Sequence, residues 1–141
     1  GKQTFLVGEP AADVEFATGI AQEMQVWDFV LDDQNYNFAP VIDVIMATSG
    51  APRVISDCYG GPESWYSEAT MQASNIALQK FGVGGFIFVQ AAGDTGPALN
   101  PHDCSIFDAQ FPSASPYVLS VGGASVNKTN NTIQAWMNSS G

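Results

Sequence analysis

Positive charge is scarce in this sequence. Four Lys and Arg residues face fourteen Asp and Glu residues, which gives a formal net charge of −10. A phosphate backbone would be repelled by this balance, so nucleic acid is excluded as a partner. Charged residues of both signs are also few, at 13%. An acidic chain with so few charges suits a protein that works in acid, where carboxylates are protonated and their mutual repulsion falls.

Long apolar runs are absent as well. None approaches the ~20 residues that a membrane-spanning helix needs, so we expect no membrane span. Hydrophobic residues nevertheless make up 45% of the 141 residues, which excludes an intrinsically disordered chain. The length suits a single domain or a portion of one.

Histidine and cysteine are rare. The single histidine, His102, lies in a predicted loop, and no second histidine or cysteine pair stands at metal-binding spacing. We therefore expect no metal site here, and a Ser-His-Asp triad has little support. The two cysteines, Cys58 and Cys104, could form one disulfide, remain free thiols or pair outside this chain.

Three Asn-X-Ser/Thr triplets crowd one polar stretch near the end of the chain. They begin at Asn127, Asn130 and Asn138, and they predict N-glycosylation in the secretory pathway. The alternative is a polar turn that is never glycosylated. The first residues have no apolar core of a signal peptide, and the last residues close no element, so we expect both ends to be cuts.

Hydrophobic periodicity predicts alternating helices and strands. The predicted helices cover residues 9–24, 39–49 and 66–81, with Gly82 as the residue that ends the third. The predicted strands cover residues 25–31, 53–59, 85–91 and 117–121. Such alternation favours an α/β fold with a parallel sheet and helices on both faces. The continuous apolar run at 85–91 is typical of a strand covered on both faces.

Ligands of parallel sheets bind beyond the carboxyl ends of the strands. This rule points to residues 32–33, 60–62 and 93–96. Asp94 follows the apolar strand between two glycines, where a protonated carboxyl could donate a hydrogen bond to an oxyanion. The alternative is an ordinary Asp in a glycine-rich turn.

Glu9 and Asp13 stand four residues apart at a helix start, so they share a face. Two carboxylates held close resist double ionisation, which suits a general base that works in acid. The alternative is that acidic residues in a first turn stabilise the helix dipole, by ~0.3–1 kcal/mol.

Four segments taken together resemble the sedolisin family, the serine-carboxyl peptidases that include tripeptidyl peptidases. They are the Glu-x-x-x-Asp helix at 8–15, Ile-Ser-Asp-Cys-Tyr-Gly-Gly-Pro-Glu-Ser-Trp at 55–65, Ala-Gly-Asp-Thr-Gly at 92–96, and Phe-Pro-Ser-Ala-Ser-Pro-Tyr-Val through Val-Gly-Gly at 111–123. Their order and spacing match the family across residues 5–125.

The resemblance implies a subtilisin-like α/β fold, of which residues 1–141 form the N-terminal to middle part of the catalytic domain. It implies Glu9 as the general base, Asp13 as its partner and Asp94 as the protonated oxyanion donor. It also implies that an extended peptide substrate pairs with the backbone around Ser56, Tyr59, Gly60 and Gly61.

This sequence departs from the family's pattern at the catalytic nucleophile. The family's nucleophile lies in a downstream Gly-Thr-Ser-Ala-type motif that does not occur here, and the serines at 139 and 140 do not match it. The expected calcium site also lies downstream. The remaining part of the same peptidase is therefore an expected partner, beside a peptide or protein substrate. Thr95, Ala12 and Pro10 are smaller departures that leave the three carboxyl groups in place.

The sequence thus predicts an acid-acting serine-carboxyl peptidase, either an endopeptidase or a tripeptidyl peptidase, in a secreted, lysosomal or acidic vacuolar compartment. A non-catalytic glycoprotein of the same fold, used in binding or assembly, is the first alternative. An unrelated α/β binding module is the second.

Overall fold

The computed structural model describes residues 8–29, 37–96, 98–100 and 103–136. The helices are α1 (Glu9–Ile20), α2 (Phe38–Ala47) and α3 (Glu68–Val83), with a 3-10 turn at Glu63–Trp65. The strands are β1 (Val54–Asp57), β2 (Gly61–Pro62), β3 (Ile87–Ala91), β4 (Ala98–Asn100), β5 (Asp103–Phe107), β6 (Gln110–Phe111), β7 (Leu119–Val121), β8 (Ala124–Asn127) and β9 (Thr132–Ala135). In the described ranges no helix combines the length and apolar character that crossing a membrane requires.

A three-stranded parallel sheet forms the centre of the fold. Its strand order is β1-β3-β7, and Asp57 lies opposite Gln90, which in turn lies opposite Ser120. Helix α3 supplies the crossover from β1 to β3, as parallel neighbours require. Three further antiparallel pairs, β2-β6, β4-β5 and β8-β9, are separate from this sheet. The predicted α/β class with a parallel sheet is therefore confirmed.

Helices α2 and α3 cover one face of this sheet. In α2 the buried side chains Phe38, Ile42 and Ile45 recur at helical spacing, and they pack against buried residues of α3 and β3. The core consists of Phe38, Ile42, Ile45, Ala77, Leu78, Phe81, Phe88 and Phe111. Each large apolar side chain buried in this way contributes ~1.5–3 kcal/mol to folding.

The opposite face of the sheet is largely uncovered by the residues that the structure describes. Val54, Ile87 and Leu119 point to this face and are exposed by 57%, 53% and 58%. Strand β3 therefore alternates between exposed or half-buried positions and buried ones. The prediction that it is covered on both faces is met on one face only within the described residues.

Helix α3 ends later than the sequence predicted. It continues through Gly82, and Gly85, with φ of 78°, is the residue in the left-handed region. The Gly85 N–H donates to the Gly82 carbonyl at 3.0 Å, and the Phe86 N–H donates to the Phe81 carbonyl at 3.1 Å. The rings of Phe81 and Phe86 stack 4.6 Å apart. This pattern is a Schellman motif, in which Gly85 is the residue that ends the helix in a left-handed conformation. The prediction of Gly82 for that position was wrong. Three glycines follow Phe81 closely, and the sequence alone does not show which of them takes the positive φ.

The region after α1 also differs from the prediction. The helix stops at Ile20, and Glu23 adopts a positive φ of 71°. Residues 25–29 form neither helix nor strand, and the rest of the predicted strand at 25–31 lies outside the described residues. Helix α1 buries none of its residues, so its apolar spacing did not predict where the helix ends.

Candidate functional site

The carboxylates of α1 meet the carboxyl end of β1. Glu9 is the first residue of α1 and Asp13 lies one turn later, so both point the same way. Cys58, directly after β1, donates a hydrogen bond from Sγ to Asp13 Oδ2 at 3.0 Å. One ligand-type atom from each of Glu9, Asp13 and Cys58 lies within 4.8 Å of the others. The predicted acidic pair therefore meets a thiol that the sequence did not assign to it.

Cys58 carries a free thiol, so the alternative in which it pairs with Cys104 is wrong. Burial raises the pKa of the Cys58 thiol well above its usual range, and the hydrogen bonds to Asp13 and Glu9 raise it further. Nucleophiles and metal ligands need the thiolate. The cluster therefore favours a protonated thiol that donates a hydrogen bond, although its spacing alone would suit a cation.

Asp57 is a third carboxyl group beside this cluster. It is the last residue of β1, and its Oδ1 accepts from the Tyr59 N–H at 3.4 Å. Its Oδ2 is buried and has no hydrogen-bond partner among the described residues. Burial raises the pKa of Asp57 from its ordinary 3.8 to about 6, the Tyr59 N–H lowers it, and the charge of Asp13 raises it. The sequence reasoning missed this residue, although an Asp inside a strand-forming run was a usable signal.

Asp57 should make stability depend on pH. Its folded pKa exceeds the ordinary value, so its stabilising contribution is complete below pH 3.8 and is lost as pH rises through about 6. Because the carboxyl keeps some solvent contact, we expect Asp57→Asn to remove ~1–2 kcal/mol of this pH dependence of the unfolding free energy. Urea unfolding of the full-length protein at pH 4 and pH 7 measures it.

The amide that this substitution introduces would change stability equally at both pH values, so only the difference between them is informative. Asp43→Asn, at an exposed position of α2, is the matched control and should leave the pH dependence as in the parent. An unchanged pH dependence in Asp57→Asn would show that Asp57 ionises normally.

Asp94 lies in the bend that follows β3. It is exposed and lines a cavity of about 300 Å³ together with Val121, Gly122 and Trp136. The preceding Gly93 has φ of 96°, and a Cβ there would lie 2.6 Å from Gln110 Cγ. Only glycine fits that position, which explains why a glycine precedes the acid.

Parallel pairing brings the Glu9-Asp13-Cys58 cluster and Asp94 to the same end of the sheet, at the carboxyl ends of the strands. Asp57 lies opposite Gln90, so the chain leaves β1 at Cys58 and β3 at Ala92 on the same side. Asp94 therefore lies at the same sheet edge as the carboxylates held beside Cys58. The shared end of the sheet agrees with the rule applied to the sequence, while the convergence of the three carboxyl groups on one cleft and their catalytic roles stay predictions.

The predicted substrate segment runs along the end of β1. Ser56 lies within β1 and Gly61 begins β2, where it pairs with Phe111. Gln90 Nε2 donates to the Tyr59 carbonyl at 3.0 Å. A Cβ at Gly60 would approach the Phe111 carbonyl oxygen to 2.6 Å, so the chain passes too closely there for a side chain. In the described ranges β1 is an edge strand, with no strand paired to its outer side.

Two of the three predicted glycosylation sites are accessible. Asn127 ends β8 and Asn130 lies in the turn before β9, and both are exposed. Asn138, His102 and the acidic loop at 32–33 lie outside the described residues.

Comparison with known proteins identifies similar chains. Residues 6–140 match the Subtilase family. The chain is 30% identical to kumamolisin of Bacillus sp. (strain MN-32) over 117 residues, covering 82% of this chain and 21% of kumamolisin. It is 31% identical to physarolisin of Physarum polycephalum over 130 residues, covering 81% and 22%. It is 28% identical to tripeptidyl-peptidase 1 of Homo sapiens over 121 residues, covering 83% and 22%.

A solved structure shows a similar fold. It is Pseudomonas sedolisin (serine-carboxyl proteinase) complexed with two molecules of pseudo-iodotyrostatin, with a TM-score of 0.57 and 23% identity. The similarity covers 65% of this chain and 26% of that one. This chain spans about a fifth of the length of the curated relatives that it matches.

Proposed function

Because this chain belongs to the subtilase family, as part of a sedolisin-type domain, we propose that it supplies the acidic catalytic groups of a peptidase that works in acid. One observation carries the proposal. Glu9 and Asp13 are held beside Cys58 at the carboxyl end of β1, and Asp94 follows β3 at the same edge. The similar proteins include peptidases by name, which supports the same reading.

In this proposal a serine from outside the chain attacks the carbonyl carbon of the scissile peptide bond. Glu9 takes the serine's proton as general base, and Asp13 shares the charge of the pair. Asp94, protonated, donates a hydrogen bond to the oxyanion of the tetrahedral intermediate. Collapse of that intermediate breaks the C–N bond, and the proton on Glu9 passes to the leaving amine. Water then releases the acyl group by the reverse sequence of proton transfers.

The substrate is a peptide bound in extended form. The outer side of β1 has no neighbouring strand in the described ranges, so a peptide could add there as a further strand. It would run along the segment that holds Ser56, Tyr59, Gly60 and Gly61. Gly61 is already paired to Phe111 on one side, so it can accept a peptide only on the other. Analysis of the products distinguishes internal cleavage from the release of tripeptides.

The rest of the same peptidase domain is the expected partner. The open sheet face at Val54, Ile87 and Leu119 is apolar, as is a groove of about 480 Å³ beside Leu78 and Val83. Such surfaces suit burial within a larger domain. Calcium takes oxygen ligands, which a protonated Cys58 thiol does not offer, so the cluster at Glu9, Asp13 and Cys58 is a poor calcium site. We propose that the calcium expected for the family binds in the downstream part of the domain. We place the enzyme in a secreted or lysosomal, acidic vacuolar compartment.

A non-catalytic glycoprotein of the same fold is the second candidate. The exposure of the glycosylation triplets at Asn127 and Asn130 favours it. This candidate predicts that the full-length protein hydrolyses no peptide at any pH.

The activity should be confined to acid. Asp94 can donate only while it is protonated, so we expect kcat/KM to be highest in acid and to fall toward neutral pH. The measurement is hydrolysis of an internally quenched peptide library by the full-length protein from pH 3 to pH 8. A rate that stays level up to pH 8 would rule out the proposed role of Asp94, and no hydrolysis throughout would favour the glycoprotein.

A further inference from the structure

We infer that Cys58 is a positioning residue of the peptidase site, whose thiol holds the Asp13 carboxylate and, through α1, fixes where Glu9 lies. The inference rests on the proposed function and adds a residue to it. The hydrogen bond from Cys58 Sγ to Asp13 Oδ2, at 3.0 Å, joins residues that are 45 positions apart in the sequence.

The thiol belongs to a chain segment that is held by the central sheet. Asp57, just before it, pairs with Gln90 in the parallel sheet. The carbonyl of Tyr59, just after it, accepts from Gln90 Nε2 at 3.0 Å. Both neighbours of Cys58 are thus tied to the central strand, and the direction of its side chain is set by the sheet.

The carboxylates of Glu9 and Asp13 belong to helix α1, which core packing constrains less. Helix α1 buries none of its residues and contributes no side chain to the core. Core packing therefore does not fix its position along the sheet edge. The contact with Cys58 ties the helix to β1 at the turn that bears both carboxylates, so the thiol determines how they face the substrate.

The thiol can play this part over the whole range in which the enzyme works. The groups facing it are acidic: Glu9 and Asp13 from α1, with Asp57 preceding it on β1. Burial, together with the hydrogen bonds to Asp13 and Glu9 and their charges, holds the pKa of the Cys58 thiol well above its usual range, so the proton stays on sulfur in acid and at neutral pH. A donor favours the ionised form of a carboxylate. Without it the pair would take up a proton more readily and would stop acting as a base at a higher pH.

Cys58→Ala and Cys58→Ser in the full-length protein test the inference. For the alanine variant we expect kcat at the optimum to fall by ~10-fold and the acid limb of the kcat/KM profile to move up by ~0.5–1 pH unit, with KM within about twofold of the parent. The serine variant keeps a hydroxyl donor and should restore both the rate and the position of the limb. Thermal unfolding midpoints verify that both variants fold.

The outcomes separate the inference from the function on which it rests. If Cys58→Ala keeps the parental kcat and acid limb while Glu9→Gln is inactive, the inference is wrong and the proposed function stands. If folded Cys58→Ser behaves like Cys58→Ala, the donor role is also wrong. If Glu9→Gln keeps full activity, the proposed function fails and the positioning role falls with it.

Discussion

Replacing Glu9 by Gln is expected to lower kcat/KM for peptide hydrolysis by about a thousandfold, since a positioned general base contributes ~10²–10⁴-fold. The amide has the size of the carboxyl but cannot accept the proton of the attacking serine. Because Glu9 is exposed at the first position of α1, the change removes no packed side chain. Steady-state rates of the purified full-length protein at its acid optimum, with unfolding midpoints alongside, measure the effect.

Glu15→Gln is the matched control on the same helix. Glu15 is also an exposed glutamate of α1, but it stands two residues beyond Asp13 and so faces away from the Cys58 contact. Its substitution changes the net charge by the same amount, and the rate should stay within about twofold of the parent, as for a surface change away from the chemistry. Equal losses in the two variants would indicate a general charge effect, and full activity in Glu9→Gln would remove Glu9 as the base.

The fold class could be predicted because its signals are local. Apolar spacing in α2 and α3 and the glycine-rich ends of β1 and β3 each mark an element, and alternation of the elements implies a parallel sheet. The region at 25–29 shows the limit of this reasoning. An apolar run becomes a strand only if another strand pairs with it, and its own sequence does not specify that partner.

The candidate site likewise has residues that the sequence predicted and residues that only the folded structure shows. The common face of Glu9 and Asp13 follows from their spacing in a helix, and the edge position of Asp94 follows from the rule for parallel sheets. The thiol of Cys58 and the raised pKa of Asp57 follow from contacts across the fold. No spacing in the sequence predicts those contacts. The sequence therefore identified the carboxylates Glu9, Asp13 and Asp94 but not the neighbouring Cys58 and Asp57.

Asp94 offers a test of how, and not only whether, a carboxyl group acts. Asp94→Ala removes the donor, and loss of one oxyanion donor is expected to lower kcat by ~10²–10³-fold. Asp94→Asn keeps an N–H donor that needs no added proton. We therefore expect the asparagine variant to recover part of the rate and to keep it at a pH where the parent has lost its activity. Rates from pH 3 to pH 8 for both variants measure this difference.

The contrast between these two variants isolates protonation from structure. Asp94 is exposed in a bend whose geometry depends on Gly93, so both substitutions leave the same backbone in place. A general loss of shape would lower the rates of both variants equally and leave the upper limb of the profile where it was. A donor role predicts that asparagine alone moves that limb to higher pH. If the limb stays in place, another group sets the acid dependence and Asp94 does not hold the oxyanion, because an amide donor is insensitive to pH in this range.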